Sequence, residues 1–347
     1  MKHPYEGLPD TRYWRRSVGD RHYAALDDLW EPISLSRGDT IATAGSCFAQ
    51  HIGDALRRNG ARWLDAEPAP VRFPSLAEAR RWGYGVYSCR YGNVYTVRQL
   101  LQLFEEAFGR RVPEERVWKL GDRWVDALRP TIDPVGHDSP DDVLAMREAH
   151  LAAVRRMFES ANLFVFTLGL TETWASARDG TVYPVAPGVS GGRYDPDRYA
   201  FLNMGYIDVR RDLLAFWGGL QEVNPGARML LTVSPVSLAA TASPEHVLLA
   251  NTYSKSVLRA VAGDVTRGRS RIAYFPSYEM IATHPSRATF YEPNLREVNP
   301  FGVETVMRYF LRSVGLSDGG AASTRATDGA DGEGFEILCD EEMLDER

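Results

Sequence analysis

Short apolar runs alternate along this chain with longer stretches in which apolar residues recur every three or four positions. The short runs predict strands near residues 40–44, 163–168, 228–233 and 272–277. The periodic stretches predict helices near residues 47–58, 98–108, 140–160, 208–222, 245–262 and 300–313. Strands that alternate with helices are typical of a mainly parallel sheet covered on both faces, so we predict an α/β fold with three layers, α/β/α.

Two segments lack this regularity. Residues 61–135 are rich in Trp, Tyr and Arg, and residues 175–206 carry many Gly, Pro, Tyr and Asp. Because long ordered loops usually serve function, we interpret both segments as loop and helical insertions over the active face of the sheet. Residues 317–347 are acidic and rich in glycine, which predicts a flexible C-terminal tail after one α/β domain spanning residues 1–316.

The composition excludes several classes of protein. The 347 residues are 44% hydrophobic, enough for a large core, and the net charge of −6 without a basic cluster argues against a nucleic-acid partner. Three scattered cysteines, Cys47, Cys89 and Cys339, fit neither a disulfide framework nor a zinc site. With no phosphate-binding loop, dinucleotide fingerprint, signal peptide or membrane-spanning run, we expect a cytoplasmic protein without a metal, a cofactor or membrane insertion.

A nucleophile is predicted where the first strand meets the first helix. Residues 44–49 read Ala-Gly-Ser-Cys-Phe-Ala, so Gly45 permits a sharp turn that lifts the Ser46 hydroxyl toward the start of the helix. A helix N-terminus stabilises nearby negative charge, and a serine there becomes nucleophilic once a base takes its proton. Cys47 is the competing nucleophile, although a small buried filler is its more ordinary role.

The string Gly-Ser-Cys-Phe-Ala, with Tyr-Gly-Asn-Val-Tyr-Thr at 91–96 and Thr-Leu-Gly-Leu-Thr-Glu-Thr-Trp at 167–174, resembles the GSCFA family, a branch similar to the SGNH/GDSL hydrolases. The resemblance implies an SGNH-like sheet. It also implies that Gly92 donates its backbone amide to an oxyanion, together with the amide of Ser46 and with possible help from Asn93. Thr171 stands where the superfamily usually has an oxyanion-binding Asn, and Glu172 would orient a histidine or contact substrate. A plain turn at 92–93 and a helix cap at 171–172 are the structural alternatives.

The general base is less well defined. SGNH enzymes end with an Asp-x-x-His pair, but the matching positions here hold Asn294 and Glu297. His246, which opens a predicted helix on the correct side of the sheet, is the favoured base, because a histidine titrates near neutral pH. Glu297, if burial raises its pKa, and His284 are the alternatives.

Two further residues near these motifs are assigned other roles. His51 lies about 140° around the first helix from Ser46, so we expect it to serve in packing. Lys255 adjoins Ser254 without helical spacing, and we interpret it as an anion contact.

These residues predict an ester hydrolase or O-acyltransferase in which Ser46 attacks a small-molecule or glycan acyl ester. The aromatic stretch from Trp174 to Tyr206 is a candidate platform for the sugar or the acyl chain. The alternative is a catalytically degenerate protein that binds a carbohydrate or acyl group in the same crevice. If the protein is an enzyme, we expect the Ser46 hydroxyl to face an open cavity with a proton acceptor in reach.

Overall fold

The computed structural model describes residues 3–33, 35–36 and 38–316. The predicted tail at 317–347 lies outside the described residues. The strands are β1 (Ile41–Gly45), β2 (Val117–Leu120), β3 (Arg123–Asp126), β4 (Leu163–Leu168), β5 (Glu172–Ser176), β6 (Val182–Tyr183), β7 (Tyr199–Asn203), β8 (Arg228–Val233) and β9 (Ile272–Tyr274). The helices are α1 (Ala49–Arg58), α2 (Leu76–Arg81), α3 (Val97–Ala107), α4 (Pro140–Ser160), α5 (Tyr206–Val223), α6 (Val247–Thr266), α7 (Ser277–Ala282) and α8 (Pro300–Ser313).

The central sheet has four parallel strands in the order β1-β4-β8-β9. Its register sets Gly45 beside Thr167, and Thr167 beside Thr232, so the carboxyl ends of three strands meet at one edge. In open α/β sheets that edge borders the ligand crevice. The predicted strands are therefore confirmed, except that β9 ends at Tyr274 because Pro276 caps a short helix, α7, that the pattern did not predict.

Alternate side chains of the strands pack into two separate cores. Phe164, Phe166 and Leu168 point toward α3, α4, α5 and α6, whereas Leu163 and Val165 point toward α1, α7 and α8. A strand that is apolar on both faces has to be covered by helices on both sides. The three-layer α/β/α class is thus confirmed, and the six predicted helices are present with shifts of a few residues at their ends.

The irregular segments contain more strand than their sequences suggest. β2 and β3 form an antiparallel hairpin, and β5 pairs with both β6 and β7 in a three-stranded antiparallel sheet. Residues 175–206 were predicted as an insertion without periodicity. That description was incomplete, because β5 and β7 are largely half-buried on a small cluster of Trp118, Tyr183 and Tyr199 instead of alternating sharply between core and solvent.

Candidate active site

Ser46 follows β1 directly and is held by backbone contacts. Gly45 has a φ of +143°, and a Cβ at that position would lie 2.5 Å from the carbonyl oxygen of Thr167, so only glycine fits there. The Ser46 amide donates to the Thr167 carbonyl at 3.2 Å, and the Val94 amide donates to the Gly45 carbonyl at 2.9 Å. A Cβ on Gly169 would come within 2.9 Å of the Ser46 Cβ. Three chain segments therefore meet at this serine with almost no free space.

The Ser46 hydroxyl is enclosed. The residue is 3% exposed, and its Oγ has no hydrogen-bond partner among the described residues. Thr167, across the β1–β4 pair, has a buried hydroxyl in the same condition. The expectation of an open cavity with a proton acceptor in reach was wrong for the described part of the chain, since side chains and the Gly169 backbone fill the space around Ser46.

The loop predicted to hold the oxyanion lies against this serine. Gly92 is half-buried with a φ of +69°. Asn93 is buried, and its side-chain oxygen accepts hydrogen bonds from the Tyr87 hydroxyl at 2.5 Å and the Gln50 amide at 3.5 Å. The Tyr87 hydroxyl also donates to the Ser46 carbonyl at 3.1 Å. Asn93 thus connects the loop to the first turn after β1, while Gly92 has the backbone freedom that an amide donor at a turn requires.

Thr171 takes part in hydrogen bonds within the protein. Its hydroxyl donates to the Asn203 side chain at 2.8 Å, and its amide donates to the Ser254 hydroxyl at 3.1 Å. Lys255 is 1% exposed and donates to the Gly169 carbonyl at 2.8 Å. The sequence suggested an anion contact for Lys255. In the structure this cation holds the backbone that packs against Ser46, and its role as an anion contact stays a prediction.

The three candidate bases lie apart from the Ser46 hydroxyl. His246 is exposed and caps α6, with its Nδ1 accepting from the Leu248 amide at 3.1 Å. Glu297 is exposed, and its amide donates to the Asn294 side chain at 3.1 Å. The His284 ring stacks on Trp14 with ring centres 5.2 Å apart. Hence none of the three forms a hydrogen bond with Ser46 in the described residues.

A pocket of about 260 Å³ opens beside this corner of the sheet. Leu170, which follows Gly169, forms part of its wall, and among the described residues Glu172 is the one acidic or basic side chain in its lining. Glu172 is half-buried and accepts hydrogen bonds from the Thr241 hydroxyl at 2.8 and 3.0 Å. Burial raises the pKa of Glu172 above its ordinary value, against the lowering effect of hydrogen bonds from Thr241 and the Ala242 backbone. Glu172 therefore faces a cavity, as a substrate contact would.

Buried charged side chains hold the start of the loop at 91–96, which we call the Gly92 loop. Glu67 accepts from the Arg90 amide at 2.8 Å and from His150 at 2.6 Å, and Arg129 donates to the Arg90 carbonyl at 2.9 Å. Arg129 and Arg147 both pair with Asp126, and Arg147 also pairs with Glu106. We call these six residues the ion cluster: Glu67, Glu106, Asp126, Arg129, Arg147 and His150.

Sequence reasoning missed the ion cluster. Glu67 and His150 are 83 positions apart, and on a helix such as α4 a charged residue is ordinarily solvent-exposed. The only available signal was Arg147 and His150, which fall on the same face as the apolar Val143 and Val154. A charged residue on the apolar face of a helix indicates a buried partner elsewhere in the fold.

The described residues contain neither a cluster of metal-ligating side chains nor a helix able to span a membrane. Across residues 3–33, 35–36 and 38–316, no three His, Cys, Asp or Glu side chains are grouped so as to hold a metal ion. In the same residues no helix combines the length and the apolar character needed to cross a bilayer.

A family model matches the part of the chain that holds the central sheet and the sequence motifs. The GSCFA family model matches residues 40–310, which include β1, Ser46 and every strand of the central sheet. The chain therefore belongs to the GSCFA family, and the resemblance drawn from its motifs is confirmed. No curated protein matches the chain.

Among solved structures, the chain is similar to an acetyl xylan esterase from the rumen bacterium Butyrivibrio proteoclasticus. The two are 11% identical with a TM-score of 0.29, and the alignment covers 80% of this chain and 64% of the esterase. The chain thus spans less than two thirds of that protein. At this level of similarity, the function has to be argued from the site itself.

Proposed function

We propose that this protein is an ester hydrolase or O-acyltransferase whose nucleophile is Ser46. The observation that carries the proposal is the buried Ser46 hydroxyl, which has no hydrogen-bond partner among the described residues. Buried polar groups are nearly always paired, and an unpaired one needs an explanation such as a catalytic role. Its position after a parallel strand and before α1 lies at the edge of the sheet that borders the ligand crevice in α/β folds, and access to the enclosed hydroxyl requires the segments packed on it to move.

The proposed chemistry begins with attack of the Ser46 oxygen on an acyl carbonyl carbon. The hydroxyl proton passes to a base, and the carbonyl oxygen becomes an anion that needs hydrogen-bond donors. The Ser46 amide and the Thr171 hydroxyl are engaged elsewhere, so Gly92 is the proposed backbone donor, with the uncapped start of α1 close to it. Collapse of the tetrahedral intermediate breaks the ester C–O bond, and the departing alcohol takes the proton from the base, which leaves the acyl group on Ser46. Attack of water on this acyl-serine releases the acid and gives hydrolysis, whereas attack of a hydroxyl acceptor gives acyl transfer; in both cases the Ser46 oxygen regains a proton through the base.

The proposed base is His246, with Glu297 as the other candidate. Both side chains are exposed, and neither forms a hydrogen bond with Ser46. The proposal therefore includes a rearrangement that brings the base to Ser46 when substrate binds. Catalytic hydrogen bonds are often long or poorly aligned in ligand-free enzymes and tighten in the substrate complex.

A turnover experiment with p-nitrophenyl acetate, with and without a sugar acceptor, tests this proposal. We expect Ser46→Ala to lower kcat by about 10³-fold or more and Cys47→Ala to retain activity. His246→Gln and Glu297→Gln then identify the base, because only one of them should lower kcat and alter its pH profile. Undiminished turnover by Ser46→Ala would contradict the assignment.

A non-catalytic binding protein is the second candidate. It is favoured by Asn294 and Glu297 at the positions of the superfamily's Asp and His, and by a pocket whose lining does not include Ser46. Under this proposal the wild-type protein turns over no acyl ester but binds a ligand beside Glu172. Equal binding by wild type and Ser46→Ala, with no turnover by either, is the result expected for it.

A further inference from the structure

The pocket beside Glu172 has a lining of unusual chemistry. Besides the carboxylate, its walls carry the aromatic residues Trp174, Tyr183 and Phe201 and a set of small aliphatic side chains. At about 260 Å³ it lies just under the roughly 300–1,000 Å³ typical of pockets for drug-sized ligands. A small organic group therefore fits it.

The carboxylate in this pocket has no cation of its own. No Lys, Arg or His of the described residues acts on the charge of Glu172, and the charged group that does is another carboxylate, Glu245. Hydrogen bonds from Thr241 and Ala242 leave its negative charge uncompensated. A half-buried carboxylate in that setting is stabilised by a positively charged ligand.

The polar groups of the pocket are too few for a sugar. The Thr241 hydroxyl already donates to Glu172, and the Thr173 hydroxyl donates to the Tyr183 carbonyl at 2.9 Å. A sugar ring would bury several hydroxyls without partners, which costs free energy for each one. An acyl chain would instead remove water from Glu172 without replacing its hydrogen bonds. Aromatic rings beside one carboxylate are suited to an organic cation.

We propose that this pocket binds the ammonium group of a small organic cation, such as an alkylammonium or quaternary ammonium compound, against Glu172. The aromatic residues surround the alkyl groups, and the carboxylate balances the charge. Leu170 of the pocket wall follows Gly169, whose backbone packs against Ser46, while Ser46 itself is not part of the lining. Binding itself does not depend on catalysis by Ser46.

Calorimetric titration with choline, benzyltrimethylammonium and the neutral isostere 3,3-dimethyl-1-butanol tests the proposal. We expect saturable binding of at least one cation, about tenfold tighter than the neutral isostere. Glu172→Gln, which preserves the shape of the side chain, should remove this tenfold preference. Glu159→Gln, an exposed carboxylate on α4, is the matched control and should bind as wild type.

Several outcomes would overturn the inference. These are no saturable binding of either cation, equal binding of the isostere, an unchanged preference in a Glu172→Gln protein that melts like wild type, or saturable binding of methyl β-D-glucopyranoside instead. Ser46→Ala separates this inference from the proposed enzyme, because it should bind the cations normally whether or not the wild type turns over esters.

Discussion

Two buried polar regions on either side of the Gly92 loop are built in opposite ways. In the ion cluster each charged side chain meets an opposite charge, and the cluster grips the loop through Glu67 and Arg129. At Ser46 the side-chain oxygen meets no donor or acceptor among the described residues. Within the ion cluster Arg147 Nε lacks a partner, but each charged group still faces an opposite charge and so holds the structure in place. The Ser46 hydroxyl has no such compensation, which costs stability and suggests another use. Four substitutions or titrations test this contrast.

Removal of one cluster cation should have the largest effect. Arg147→Leu leaves the buried Glu106 without its ion-pair partner and leaves Arg129 as the remaining cation at Asp126, and we expect it to lower the free energy of unfolding by about 3–5 kcal/mol in urea titrations. Arg155→Leu, which breaks an exposed pair with Glu159 on the same helix, should cost under about 1 kcal/mol. Similar losses in both variants would mean that the ion cluster is not a structural support.

The ion cluster should also make stability depend on pH. Burial, with the nearby Arg129, lowers the pKa of His150 to about 4, so the folded protein resists a proton that the unfolded chain accepts below about 6.5. Stability should therefore fall as the pH drops from 6.5 toward 4, by up to about 1.4 kcal/mol per pH unit from this group.

Urea titrations across that pH range measure the slope. His150→Gln should make it shallower but not abolish it, because burial lowers the pKa of His51 to about 4 as well. Parallel slopes in wild type and His150→Gln would contradict the shifted pKa of His150.

An added methyl group should disturb the Ser46 corner. In Gly169→Ala the new Cβ would lie 2.9 Å from the Ser46 Cβ and 3.0 Å from the Tyr95 carbonyl oxygen, and we expect a loss of about 1–3 kcal/mol in thermal unfolding. Gly218→Ala on α5 is the matched control, since its Cβ meets nothing within 4 Å, and it should stabilise by about 0.5–1 kcal/mol. If Gly169→Ala is as stable as the wild type, the packing around Ser46 is looser than the structure indicates.

Removal of the unpaired hydroxyl should have the smallest effect on stability. Ser46→Ala loses no hydrogen bond, so its unfolding free energy should stay within about 0.5 kcal/mol of wild type or rise slightly. Ser88→Ala is the contrasting variant, because the Ser88 hydroxyl accepts from the buried Thr43 amide at 2.9 Å and its loss should cost about 1–3 kcal/mol. A comparable loss in both would mean that Ser46 is paired in solution.

The sequence predicted the layers and the place of Ser46 because both depend on local patterns. The run 163–168 is apolar at every position except Thr167, and that pattern predicts a strand covered on both faces. The turn at Gly45 likewise follows from a glycine between strand and helix. β5 and β7 escaped prediction because their residues are neither alternating nor uniformly apolar.

The surroundings of the site depended on distant contacts, which no local pattern contains. Lys255 meets Gly169 across 86 positions, and Thr171 meets Ser254 across 83. His246 was correctly expected at the start of a helix, but its ring serves there as the cap. The role of His246 as a base stays a prediction, as do the roles of Gly92, Asn93, Thr171 and Glu172.

The two close-packed glycines beside Ser46, Gly45 and Gly169, determine which substitutions this part of the protein can accept. Gly45 and Gly169 bring main-chain atoms of neighbouring segments together with no side chain between them. The separation of those segments is therefore set by peptide groups, which do not vary from one homologous sequence to another. A side chain introduced at either glycine would therefore displace the serine itself, because no flexible group lies between them to take up the strain.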